Sequence, residues 1–133
     1  MTEENVKETR IVLTILAIVY FISFLVLVVQ TIILTKHDPS DPTVKLYRTY
    51  TKSLKDKKAG KTTKVVLFNE EAFKFFCGVC NSYVMNNSKH CQKCNRCTSE
   101  FDHHCLWINN DIGLLNYAGF MRMIIALLIV VLT

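Results

Sequence analysis

No cysteine lies outside residues 77–105 of this 133-residue chain, no charged side chain interrupts Ile11–Leu34, and few aromatic residues accompany the lysines of residues 43–64. Each absence excludes something. All six cysteines and three of the four histidines crowd into Cys77–Asp111. Thiols of an ordinary core are instead scattered among apolar neighbours, so this stretch is a site. A 24-residue run without charge exceeds the roughly 7 to 15 residues of a signal-peptide core, and no small-residue cleavage signal follows Leu34, which weighs against a removed leader. A basic stretch poor in aromatics lacks the stacking platforms of a nucleic-acid-binding module, so no nucleic-acid partner is expected.

What is present divides the chain into sections. Half of it is apolar and its mean hydropathy is +0.24, an excess concentrated at the two ends. Of 16 lysines and arginines, 13 fall between Lys36 and Arg96. This gives an N-terminal flank (1–10), an apolar helix (11–35), a basic linker (36–76), a cysteine-rich module (77–117) and the start of a second apolar helix (118–133). The expected fold class is a membrane protein, in which transmembrane helices flank a small, loop-rich cytosolic zinc-binding module with short β-hairpins. A soluble core this small is usually stapled by a metal.

Ile11–Leu34 would reach roughly 36 Å as a helix, enough to cross a hydrocarbon layer of about 30 Å with some tilt. Lys7 and Arg10 precede it, whereas Lys36 and eight further basic residues from Lys45 to Lys64 follow, so the positive-inside bias places residues 36 onward in the cytosol. That compartment is reducing, which favours metal-bound or reactive thiols over three disulfides. His37–Pro42 reads as a helix stop, Thr43–Thr63 as a mobile, solvated linker, and Val65–Phe76 as an extended approach to the module with aromatic residues to wrap a small core. Asn116–Thr133 is apolar again, entering the membrane at Tyr117, Phe120 and Arg122. From Tyr117 it reaches only about 25 Å, so an incomplete second span, and with it a fragment or short isoform, is expected.

Within the cysteine-rich stretch, Cys77-x2-Cys80, His90, Cys91-x2-Cys94-x2-Cys97 and His104 form close pairs that can each turn back on one metal ion. Two C-x2-C pairs with an interposed histidine point to structural zinc, whose closure can stand in for a hydrophobic core.

The full pattern C-x2-C-x9-HC-x2-C-x2-C-x4-DHHC-x-W-x2-N, followed by Gly113, Asn116 and Phe120, resembles the DHHC-type protein S-acyltransferases, or palmitoyltransferases. Asp38-Pro39-Ser40 after the first apolar run is similar to that family's Asp-Pro-Gly motif, and the wording around Asp38–Asp41 and His90–Cys94 is most like the branch containing animal DHHC types 1 and 11. The resemblance implies two interleaved zinc sites, Cys77, Cys80, His90 and Cys97 forming the first, and Cys91, Cys94, His104 and position 111 the second. It leaves Cys105 as the nucleophile, His103 as its base and Asp102 as the group that orients His103. A thiolate is the reactive form of such a nucleophile, and an adjacent imidazole promotes it. The implied reaction takes palmitoyl or another long-chain acyl group from acyl-coenzyme A onto Cys105. It then passes the group to a cysteine of a membrane-associated protein. The implied partners are acyl-CoA, such proteins and the lipid bilayer, and the location is the endoplasmic reticulum, Golgi or plasma membrane.

Three departures stand against the pattern. Asp111 replaces a cysteine ligand, so either its carboxylate oxygen binds zinc or the second site stays empty. Leu106 replaces the usual proline after the nucleophile, loosening a fixed φ there. The family's other two spans and its later Thr-Thr-x-Glu motif are missing. The alternative function is therefore a catalytically inactive, membrane-tethered zinc-binding adaptor.

Overall fold

The computed structural model describes residues 3–133, which fall into two compact units: the chain up to His37 together with Tyr117–Thr133, and Asp38–Asn116.

The first unit is a pair of helices, α1 (Glu3–Lys36) and α3 (Tyr117–Leu132), packed against each other. α1 has 34 residues and a best-window mean hydropathy of 3.0, long and apolar enough to cross a membrane. α3 has 16 residues, about 24 Å of helix. Gly119, Met123 and Ala126, spaced to share one face of α3, are buried, as are Ser23 and Leu34 of α1. A Cβ on Gly119 would stand 3.1 Å from Leu34 Cδ2, a close contact that would make the leucine side chain give by a few tenths of an ångström.

The second unit opens with α2 (Pro42–Lys58), where the sequence reading expects a mobile linker. Of two successive Asp-Pro pairs, Asp38-Pro39 follows the end of α1 and Asp41-Pro42 starts α2. Asp41 caps it by accepting from the Thr43 N–H at 2.7 Å, and Pro42 sits in the first turn, where a missing N–H costs nothing. Asp41 is fully buried. Its other carboxylate oxygen accepts from the Met85 N–H at 2.8 Å and from the Ser88 hydroxyl, while its own N–H donates to the Cys97 carbonyl at 2.8 Å. One face of α2 packs on aromatic residues: Tyr47 meets Phe68 at 5.1 Å and Tyr83 at 5.3 Å between ring centroids, and Phe68 stacks on Phe73 at 5.1 Å. Periodicity too weak to announce a helix is thus completed by tertiary contacts. The expected extended approach is a loop with a short 3-10 turn at Glu70–Ala72.

Three antiparallel hairpins follow: β1 (Phe75–Cys77) with β2 (Ser82–Val84), β3 (Lys89–Cys91) with β4 (Arg96–Thr98), and β5 (His103–Cys105) with β6 (Asn110–Ile112). They are copies of one design at a spacing of 14 residues. The register pairs are Cys77↔Ser82, Cys91↔Arg96 and Cys105↔Asn110. Each turn ends on an asparagine in the left-handed region, Asn81, Asn95 and Asn109, with φ of 47°, 49° and 46°. Asparagine tolerates that region better than other side-chain-bearing residues, which is why it recurs there.

Candidate metal centres and a sixth thiol

The hairpin plan has two places for donors, the turn, at 77 and 80 or 91 and 94, and the facing pair across the strands, at 90 and 97 or 104 and 111; the first hairpin fills the turn, the second both places and the third the facing pair. The turn of one hairpin meets the facing pair of the next. Cys77 and Cys80 thereby join His90 and Cys97, and Cys91 and Cys94 join His104 and Asp111, all ligand atoms of each group lying within 4.8 Å of one another. His90 and Cys97 are direct cross-strand partners, as are His104 and Asp111.

The separations fit a shared tetrahedral ion. Zinc bonds of about 2.3 Å to sulfur and 2.0–2.1 Å to nitrogen put S and N roughly 3.5 Å apart. His90 Nδ1 lies 3.8, 3.3 and 3.8 Å from the sulfurs of Cys77, Cys80 and Cys97. In the second group, His104 Nδ1 lies 3.8 and 3.3 Å from Cys91 and Cys94, repeating the first pair of values, but 2.9 Å from Asp111 Oδ1. Burial, then the neighbouring Cys77 and Cys80, pushes the Cys97 thiol far above the ordinary thiol range. Three thiolates cannot share this space without a cation, and a bound dication would supply the compensating charge.

Asp111 is fully buried and well supplied with partners. Besides His104, it receives the Thr98 hydroxyl at 3.3 Å and has Arg96 Nε at 3.6 Å. Burial would raise its pKa, but its contacts with Cys91, His104, Cys94 and Arg96 outweigh that and lower it, keeping the carboxylate charged. Arg96 also reaches Asp38 Oδ1 at 3.2 Å and Asn110 Oδ1 at 2.5 Å, binding the residues before α2 to the third hairpin. Asn116 donates to the Asp111 carbonyl at 2.8 Å and accepts from the Gly113 N–H at 2.9 Å. A Cβ at Gly113 would sit 2.5 Å from the Ser99 carbonyl oxygen, so glycine is required behind this corner.

Cys105 is the one cysteine in neither group. It ends β5, 6% exposed, on the same strand face as His103, while His104 between them points the other way, toward the second group. His103 Nδ1 lies 3.2 Å from Asp102 Oδ2, both side chains being substantially exposed. Beyond Cys105, Leu106 and Trp107 stand out at the hairpin tip, 71% and 72% exposed. All the ligand positions expected from sequence are brought together, and His103 and Cys105 share a face. Arg96 and Asp41 were not expected, because both act through tertiary contacts. The 14-residue repeat was readable, announced by its cysteines, its asparagines and the pair His90 and His104.

Residues 70–133 match the family model described as DHHC palmitoyltransferase. The chain is 46% identical over 61 residues to the probable protein S-acyltransferase 20 of Arabidopsis thaliana, an alignment covering 46% of this chain and 8% of that protein. It is 36% identical over 66 residues to palmitoyltransferase ZDHHC18-A of Danio rerio (49% of this chain, 14% of that protein). Identity is 48% over 54 residues to palmitoyltransferase Hip14 of Drosophila melanogaster (41% and 8%). The chain thus spans less than a fifth of the length of these curated relatives.

Proposed function

We propose, from the match of residues 70–133 to the DHHC palmitoyltransferase family model, that this chain takes part in protein S-acylation through Cys105. The observation that carries the reading is the sparing of Cys105: of six cysteines, five converge in two donor groups and this one, beside an imidazole on its own strand face, does not. Both groups suit zinc, Cys77, Cys80, His90 and Cys97 holding one ion and Cys91, Cys94, His104 and Asp111 the other. There the metal would fix the hairpins.

The chemistry assigned to this chain's own residues has two steps. The Cys105 thiolate attacks the carbonyl carbon of a long-chain acyl-CoA thioester, palmitoyl-CoA for example. The bond to the coenzyme A sulfur breaks, and the departing thiolate takes the proton that His103 removed from Cys105. A cysteine thiolate of a membrane-associated protein then attacks the acyl-enzyme, and Cys105 leaves as thiolate. Asp102 engages His103 Nδ1, selecting the tautomer in which Nε2 is the acceptor. Exchanging one thioester for another is nearly balanced, so the protein's task is to supply a thiolate and to orient it.

In this reading Ile11–Leu34 crosses the membrane and the module of residues 77–117 works in the cytosol at an endomembrane or plasma-membrane surface, where acyl chains reside. Residues 118–133 begin the next span. The placement near the branch of animal DHHC types 1 and 11 rests on the wording of Asp38–Asp41 and His90–Cys94. Leu106 and Asp111 favour a second reading, the inactive zinc-binding adaptor. Labelling with an alkynyl palmitoyl-CoA analogue separates the two. The enzyme reading expects a hydroxylamine-sensitive label on wild type that Cys105→Ala abolishes; equal label on both proteins, or none on either, rejects it.

A further inference from the structure

Cys105 occupies a ligand position. In the repeat it is the counterpart of Cys77 and Cys91: each is the last residue of its hairpin's first strand, each pairs with the first residue of the second strand, and each precedes a left-handed asparagine by four residues. Both counterparts sit in a donor group. The turn partners of Cys77 and Cys91 are Cys80 and Cys94, and the residue in their place in the third hairpin is Ile108, 2% exposed. The facing pair that would complete a third group is also missing, since no fourth hairpin follows β6 among the described residues. At the other end of the array, Phe76 and Tyr83 take the places of the histidine and the second-strand ligand, closing the first hairpin with an edge-on ring pair at 5.3 Å.

We propose that Ile108, by withholding the second donor of a turn that already lacks a facing pair, keeps Cys105 free of metal and therefore available as a thiolate nucleophile. A lone cysteine holds a divalent ion weakly, whereas a second donor three residues along the same turn acts at high effective concentration and closes a chelate. The backbone of the third turn is already shaped for that chelate, because it shares its register and its left-handed asparagine with two turns that present paired thiols. A buried hydrocarbon at position 108 removes the second donor and fills its space. Ile108 is thus a positioning residue, acting on the thiol by denying it a competing partner. This inference rests on the reading of the two donor groups as zinc sites.

The test uses the full chain in lipid nanodiscs, zinc-saturated and held under a phosphine reductant. Zinc content is read by mass spectrometry, and iodoacetamide alkylation is mapped cysteine by cysteine. In wild type, Cys105 is expected to be the cysteine alkylated in preference to the other five. Ile108→Cys is expected to bind one further equivalent, to show added thiolate-to-metal absorption when cobalt replaces zinc, and to lose Cys105 alkylation by about tenfold or more. Ile108→His brings a donor without a second thiol and is expected to shift metal content and alkylation the same way. Ile108→Val keeps the wild-type pattern. Wild-type metal content in Ile108→Cys and Ile108→His, with Cys105 still alkylated, would overturn the proposal, as would metal gained at Cys105 in Ile108→Val. Wild type that binds no zinc at all would instead sink the reading of the donor groups.

Discussion

The two donor groups share a plan and differ at one corner. Both take two thiols from a turn and an imidazole from the next hairpin, with matching sulfur-to-nitrogen separations, but the first is completed by Cys97 and the second by Asp111. The thiol of Cys97 is surrounded by other sulfurs and needs a cation to give up its proton. The carboxylate of Asp111 is already charged and is held by Thr98, Arg96 and His104. One group therefore depends on its metal for its form. The other keeps part of its form through hydrogen bonds and ion pairs, and its hard oxygen donor grips zinc less firmly.

The largest effect expected from breaking this comparison is at the first group. Structural zinc contributes about 10–16 kcal/mol in small metal-folded peptides, comparable with the whole stability of a domain at about 5–15 kcal/mol. Cys97→Ala is expected to lose one zinc equivalent and to unfold the hairpins, read by metal content and amide exchange across residues 75–112. Asp111→Cys sharpens the comparison from the other side. In wild type a competing chelator is expected to strip the second group first. The substitution should raise that group's affinity by about tenfold or more, so that both ions leave together. Arg96→Met removes the cation beside Asp111 and is expected to lower second-group affinity by about 10- to 100-fold, as loss of outer-sphere support usually does, with the first group unaffected.

Gly113→Ala forces a methyl against the Ser99 carbonyl and the Thr98 methyl group, at 2.5 and 2.6 Å. A cost of about 1–3 kcal/mol follows, measurable as a lower unfolding midpoint of the zinc-loaded protein. The smallest effect concerns acid. Burial would raise the pKa of Asp38, but hydrogen bonds from Lys45 and Ser40 more than offset this and hold it well below the ordinary carboxylate range. Its contribution is therefore fully present above pH about 4, near the unfolded value, and is lost as pH falls through the folded value. The stability difference between wild type and Asp38→Asn should shrink steadily below pH 4. It should also be small, since Asp38 is half exposed and its ion pairs are screened.

The close-spaced thiol pairs were legible because metal chemistry writes itself in spacing, cysteines three apart being able to turn back on one ion, whereas their sorting into two sets and the place of position 111 came with the family resemblance. The apolar run Ile11–Leu34 was legible from length alone. α2 was not, since its lysines show little periodicity and its inner face is made by Tyr47 and Tyr50 meeting Phe68, with Tyr83 against Tyr47 and Phe73 stacked on Phe68, from distant parts of the chain. Arg96 carries no signature in sequence, its role arising only where Asp38, Asn110 and Asp111 converge. The role of Ile108 was hidden for a different reason: an isoleucine gives no signal until the hairpins are superposed.

Interleaving also imposes an order of assembly. Because each donor group draws on two successive hairpins, no hairpin can complete a group by itself, and a chain emerging from the ribosome acquires its sites in sequence. The first group is complete once residue 97 is available, and the second only at residue 111, six residues after the sixth thiol. Cys105 thus enters the chain when three of the second group's four donors, Cys91, Cys94 and His104, precede it and Asp111 alone is still to come.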